Sequence, residues 1–178
     1  MVENSAISPV SSKVKWSNTI WENSSLPKHC FISWLAVNDR LLTRYRLMRR
    51  GIIQSAQCCL CNDTAPETRD HLFFQCKFSQ VVWNEIMEWL QFRWRTCEWN
   101  ILIDWFSCKL RGKGPKQKVK MIALSSTIYS LWKERNNRTF KQVAKSTDQT
   151  VMVIKMDIMT ISLNCPALEE IRAWLITL

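Results

Sequence analysis

Apolar residues along this chain recur mostly at three- and four-residue intervals, the period of amphipathic helices rather than of strands. Between Pro27, a residue suited to a helix start, and Gly51, suited to a stop, lie Phe31, Trp34, Leu35, Leu41, Leu42, Tyr45 and Leu47. The run NDRLLT at 38–43 divides this stretch into two predicted helices. Thr43 is the candidate cap of the second, which carries Arg44, Arg46, Arg49 and Arg50. Residues 52–66 lack periodicity and contain Asn62, Asp63 and Pro66, so they read as loop. Helical spacing returns in ETRDHLFFQCKFSQVVWNEIMEWL, where Leu72, Phe73, Val82, Trp83, Ile86, Trp89 and Leu90 form an apolar face. ILIDWFSCKL is a short apolar helix or strand. Val119, Ile122, Ile128, Leu131 and Trp132 predict a further helix, and STDQTVMVIKMDIMTISLN another. Ser146 or Thr147 would cap the latter, with Gln149 near the capping-box position. Pro166 ends it, and ALEEIRAWLITL gives a final short helix.

The expected fold class is therefore mainly α: a helical domain with an inserted small Cys3His zinc-binding module. The expected division is a flexible arm at 1–13, a metal-binding domain at 14–108, a basic linker at 109–118 and a C-terminal helical region at 119–178. The 178 residues are 47% apolar, enough for a core, and only 3 Gly and 5 Pro argue against a turn-rich all-β chain. Trp34, Trp83 and Trp132 sit at core-like helical positions among the 10 tryptophans. No secretory signal or membrane-length apolar run is visible, so nucleus or cytoplasm is expected and no membrane partner.

In a reducing compartment, the 8 cysteines point towards metal rather than disulfides. Four of them fall in CCLCNDTAPETRDHLFFQC. Cys58 and Cys61 form a C-x2-C turn, and His71 and Cys76 follow as H-x4-C near a helix start. Three thiolates and one imidazole complete a tetrahedral zinc shell and leave no position for an activated water, so one structural Zn2+ is expected. Cys59 is a spare thiol that donates weakly, packs, or exchanges with Cys58. A redox dithiol and plain buried cysteines are the alternatives; the first lacks its βαβ setting. His29 lies outside any ligand pattern and is expected at a helix start on or near the surface. Cys97, Cys108 and Cys165 are isolated and read as packing residues.

Several segments together resemble the zinc-binding domain of plant non-LTR (LINE-type) retrotransposon reverse transcriptases. They are Pro27-Lys28 before an aromatic helix, Trp34, the Leu41–Leu47 run, the Cys58–Cys61 turn, Glu67-Thr68, His71–Cys76 with Trp83, and more weakly LWKERNNRTF. The resemblance implies the same ligands, Cys58, Cys61, His71 and Cys76. It also implies descent from a polyprotein with polymerase and often ribonuclease H activity. No adjacent Asp pair occurs here, and Asp104, Asp148 and Asp157 are scattered, so no enzyme activity is expected.

Charge adds a partner class. The formal net charge is +10. Lys28, Arg40 and the four arginines at 44–50 face only Asp39 within 28–50, and six basic residues without an acid fill 109–120. Such segments suit the phosphates of RNA or DNA. The expected contacts are Arg44, Arg46, Arg49 and Arg50, with Lys113, Lys116, Lys118 and Lys120. The competing expectation is a structural or protein-interaction domain, docking on a polymerase domain or on itself through a Trp-rich surface.

Overall fold

The computed structural model describes residues 25–61, 63–92, 98–104 and 114–178. The expected arm at 1–13, Lys113, Cys97 and Cys108 lie outside them. Helices α1 (Pro27–Val37) and α2 (Arg44–Arg49) come first. A π-turn at His71–Gln75 leads into α3 (Lys77–Trp89), and α4 (Trp99–Asp104) follows. Then come α5 (Pro115–Asn136), a second π-turn (Asn137–Lys141) and α6 (Thr147–Leu163). A 3-10 turn (Pro166–Ile171) and α7 (Arg172–Ile176) close the described chain. No strand occurs among the described residues; Gln57 and Pro66 form an isolated antiparallel bridge. No described helix is long and apolar enough to cross a membrane.

Local chemistry accounts for most boundaries. Thr43 Oγ1 accepts from Arg46 N at the start of α2, while Asp39 at φ 50° and Gly51 at φ 70° turn the chain before and after it. Ser146 and Gln149 make a reciprocal capping box on α6. Helix α5 begins at Pro115, inside the stretch expected as linker, because Pro at the first turn gives up an N–H that has no helical partner anyway.

Helix α5 packs against α1, α3 and α6. Its middle is buried all round: Ile122 to Ile128 are buried without a break, Ser125, Ser126 and Thr127 included. The hydroxyls of Ser125 and Thr127 donate to the carbonyls of Ile122 and Ala123, so polar groups enter the core satisfied. Against these small residues α1 buries His29, Cys30, Ser33 and Ala36 rather than its largest apolar side chains. Phe31 is 50% exposed. Trp83 is fully buried, but Trp34 and Trp132 are only half-buried, which corrects the expectation of core burial for all three. Each of those two rings carries a guanidinium instead, from Arg40 and Arg135.

One buried apolar cluster runs from Ala36 and Leu41 through Phe73, Trp83 and Ile86 to Ile122, Ile154 and Leu175.

Candidate metal centre

The sequence pattern predicted one helix through Glu67–Leu90. The structure breaks it at Cys76, whose backbone is extended at φ −68°, ψ 127°. The reason is ligand geometry. On a straight α-helix, residues five apart point about 140° away from each other. The wider π-turn brings His71 and Cys76 round to one side, closed by the bond from Cys76 N to His71 O at 2.8 Å. The break leaves carbonyls without helical donors, and α3 supplies them. Ser79 Oγ, Trp83 Nε1 and Gln80 Nε2 donate to the carbonyls of Leu72, Phe73 and Phe74 at 2.6, 2.8 and 2.9 Å. Trp83 thus holds the ligand turn as well as filling the core.

The other ligand pair sits on a short hairpin. Cys58 N donates to Ala65 O, and Glu67 N to Ala56 O. Within the turn, Leu60 N points at Cys58 Sγ, 3.4 Å away. The ligand atoms of Cys58, Cys61, His71 and Cys76 all lie within 4.8 Å of one another, and all four residues are buried. Cys61 Sγ is 3.3 Å from His71 Nε2, and Cys58 Sγ 4.0 Å from Cys76 Sγ. Zn–S bonds of about 2.3 Å in a tetrahedron place sulfurs roughly 3.8 Å apart, so the donor set fits one structural Zn2+.

The thiols are electrostatically uneven. Cys76 is held below the usual thiol range because Cys58 donates to it; Cys58 is pushed up by that same bond and by burial. Burial raises Cys61 and lowers His71, which keeps the imidazole neutral and ready to ligate. Metal binding to this set releases thiol protons.

Cys59, the spare thiol, is outside the ligand set. Its sulfur faces the C-terminal end of α5, 3.5 Å from Thr139 Oγ1 and 3.6 Å from Arg135 O, and packs there.

Sequence reasoning missed the supports around the centre. Glu67 is fully buried and meets Arg135, 1% exposed, with Nε and Nη2 both 2.8 Å from Oε1. The same oxygen accepts from Arg44 N, while Arg135 Nη2 reaches Leu42 O. One ion pair thus joins the metal loop, α2 and α5. One turn on, Arg138 Nη1 donates to the carbonyls of Cys59 and Leu60, and Nη2 to Lys145 O. The available signal was that Glu67 and the 131–140 segment belonged to the resemblance while carrying no ligand.

His29 was also misplaced. It is fully buried rather than at the surface, stacked on Tyr129 at 4.4 Å, with Nδ1 3.2 Å from Ser126 Oγ. The helix start turns it inward, because α5 offers small residues there. Burial, with Lys28 and Lys133 nearby, lowers its pKa to about 4.

The expected basic contacts separate into two groups. Arg46, Arg49 and Arg50 line one cleft, while Arg44 is not part of its wall. Lys116, Lys118 and Lys120 sit on the first turns of α5. Lys120 and Arg135 are fifteen residues apart on that helix. At the helical rise this is about 22 Å, so the lysines lie toward one end of the longest described helix and Arg135, which is tied to α2 through Glu67, toward the other. Lys116 and Lys120 lie over the rings of Trp174 and Phe92.

A buried Cys3His cluster in a helical domain, with four donors to fill a tetrahedral shell, fits a structural zinc-binding protein. Residues 5–83 match the family described as zinc-binding in reverse transcriptase, and the matched segment contains Cys58, Cys61, His71 and Cys76. Arg135 and Arg138, which brace the metal loop, lie beyond the matched segment. No curated protein and no solved structure matches the chain.

Proposed function

We propose that the chain is a non-catalytic, zinc-stabilised module that binds RNA or DNA through basic residues flanking the metal centre. The observation that carries this reading is the grouping of Arg46, Arg49 and Arg50 along one cleft wall, on α2 and its C-cap, with α2 tied to the metal loop through Glu67. Phosphate contacts from such residues give salt-dependent, sequence-tolerant affinity. The metal's part is architectural, since its four protein ligands fill the tetrahedral shell. The Cys58–Cys76 pattern and its flanks support an origin in a plant non-LTR retroelement.

The test is binding of the zinc-loaded chain to a labelled RNA or DNA oligonucleotide across a salt series. Affinity should fall steeply from 50 to 200 mM salt. Absence of binding at 50 mM salt sinks the proposal.

A second reading is docking to a polymerase domain or to a second copy of this chain. It is favoured by Met152 and Met156, 60% and 62% exposed one turn apart on α6. Concentration-dependent self-association that Met152→Ser with Met156→Ser abolishes would support that reading.

A further inference from the structure

We infer that the cleft between α2 and the segment entering the His71 turn is a site for one unpaired nucleotide of a single strand. This inference rests on the nucleic-acid reading above and adds a strand form and a location to it. The cleft is open to solvent and has a volume of about 460 Å3, room for a small organic group. Arg46, Arg49 and Arg50 form one wall, and Arg69, which sequence reasoning passed over, stands on the other with Thr68.

The four arginines are not equivalent. Arg46 Nη1 lies 3.3 Å from Asp39 Oδ2, and Arg69 Nε 3.1 Å from Asp70 Oδ1. Arg69 also donates to Val37 O and lies over the Trp99 ring. These two are held in place as walls. Arg49 and Arg50 are exposed and make no ion pair with any described residue. They are the side chains available to a phosphodiester.

Tyr45, half-buried, lines the same cleft and supplies a ring for a base. Bases stacked and paired in a duplex do not offer a face to such a ring; bases of a single strand do. Because Arg69 precedes the ligand His71 by two residues, the metal turn sets the far wall of the cleft.

The experiment measures anisotropy of a labelled 12-nucleotide single strand, and of its duplex, with the zinc-loaded full chain over 50–200 mM salt. Three variants accompany it: Arg49→Gln with Arg50→Gln, Tyr45→Leu, and Lys116→Gln with Lys118→Gln and Lys120→Gln. Zinc content and thermal midpoint of each confirm folding. The expected result is tighter binding of the single strand. The double arginine variant should flatten the salt slope by about 1.4, the share of two single-strand phosphates. Tyr45→Leu should weaken single-strand binding about tenfold without changing the slope.

Equal affinity for duplex and single strand together with a silent Tyr45→Leu overturns the cleft assignment. So does a loss confined to the lysine variant, although nucleic-acid binding itself then stands. Displacement of the strand by an equal nucleotide concentration of nucleoside monophosphate reassigns the cleft to free nucleotides and also overturns it. A chain that binds neither oligonucleotide at 50 mM salt removes the functional reading and the cleft with it.

Discussion

The metal loop and the α5–α6 pair reach order by different routes. Among the described residues, 52–70 contain no helix longer than one turn and little apolar side-chain mass. They are fixed by cross-links: four donor atoms within 4.8 Å, the Glu67–Arg135 pair, and Arg138 on two loop carbonyls. Helices α5 and α6 instead interlock Ile122, Ile128, Leu131, Ile154 and Ile158 over several turns. Their interface tolerates the loss of one contact, because many small terms share the load. The loop has few terms, each large, so single substitutions there should act almost as switches.

The largest expected effect comes from removing a ligand. Cys76→Ala should reduce bound zinc from one per chain to none, and withdraw a folding contribution that reaches about 10–16 kcal/mol in small zinc domains. If the two regions differ as described, the aromatic near-ultraviolet signal from Trp83 and Trp99 should collapse while much far-ultraviolet helicity of α5 and α6 survives. Equal loss of both signals breaks the comparison. A chelator acting on the unmutated chain should reproduce the variant.

Next comes the ion pair. Glu67→Gln leaves a buried guanidinium uncompensated and should cost about 3–5 kcal/mol in urea unfolding of the zinc-loaded protein. Joint Glu67→Met and Arg135→Met should recover part of that loss, since two buried charges are then removed together. If Glu67→Gln costs under 1 kcal/mol, the loop is held by zinc alone.

A third probe lies in the helical region, at His29. Its folded pKa of about 4 is below the ordinary 6.5, so between those values the unfolded chain takes up a proton that the folded chain does not. Stability therefore falls as pH drops through this window and loses nothing further from His29 below it. The full shift corresponds to roughly 3 kcal/mol. The half-exposed Asp157 carboxylate, 4.0 Å from Nε2, tempers the loss by favouring the charged ring. Zinc ligands also protonate in acid, so the readout is the difference between the unmutated chain and His29→Gln at each pH. That difference should shrink by 1 kcal/mol or more from pH 7 to pH 5. A constant difference refutes the neutral buried imidazole.

The contrast between the regions also sets what could be read from the sequence. Regular helices write their own periodicity and caps, so α5, α6 and the split between α1 and α2 were legible, as were four ligands at conventional spacing. Cross-links between distant segments leave no local period: Glu67 and Arg135 are sixty-eight residues apart, and nothing in either neighbourhood marks a pair. Helix α1 misled in another way. Its bulky residues predicted the inward face, but α5 presents Ser125 and Ser126, and close approach of two backbones selects His29, Cys30, Ser33 and Ala36. The break at Cys76 was hidden because the helical period continues on both sides of it.

The smallest effect is expected at Ser146. Its side chain accepts from Gln149 N at 3.2 Å, and Gln149 Oε1 accepts from Ser146 N at 3.1 Å, both at the surface. Ser146→Ala removes one half of this reciprocal cap and should cost about 1 kcal/mol in global unfolding. It should leave zinc content and the chelator-induced loss of the aromatic signal unchanged, since α6 is held by its packed face once formed. Arg138 Nη2 donates to Lys145 O, one residue before the cap, and this contact links the start of α6 to the metal loop. Faster zinc release to chelator in Ser146→Ala would therefore mean that the helix start braces the loop through Arg138. In that case the regions are mechanically coupled, and the division between cross-linked and packed order holds only for their interiors.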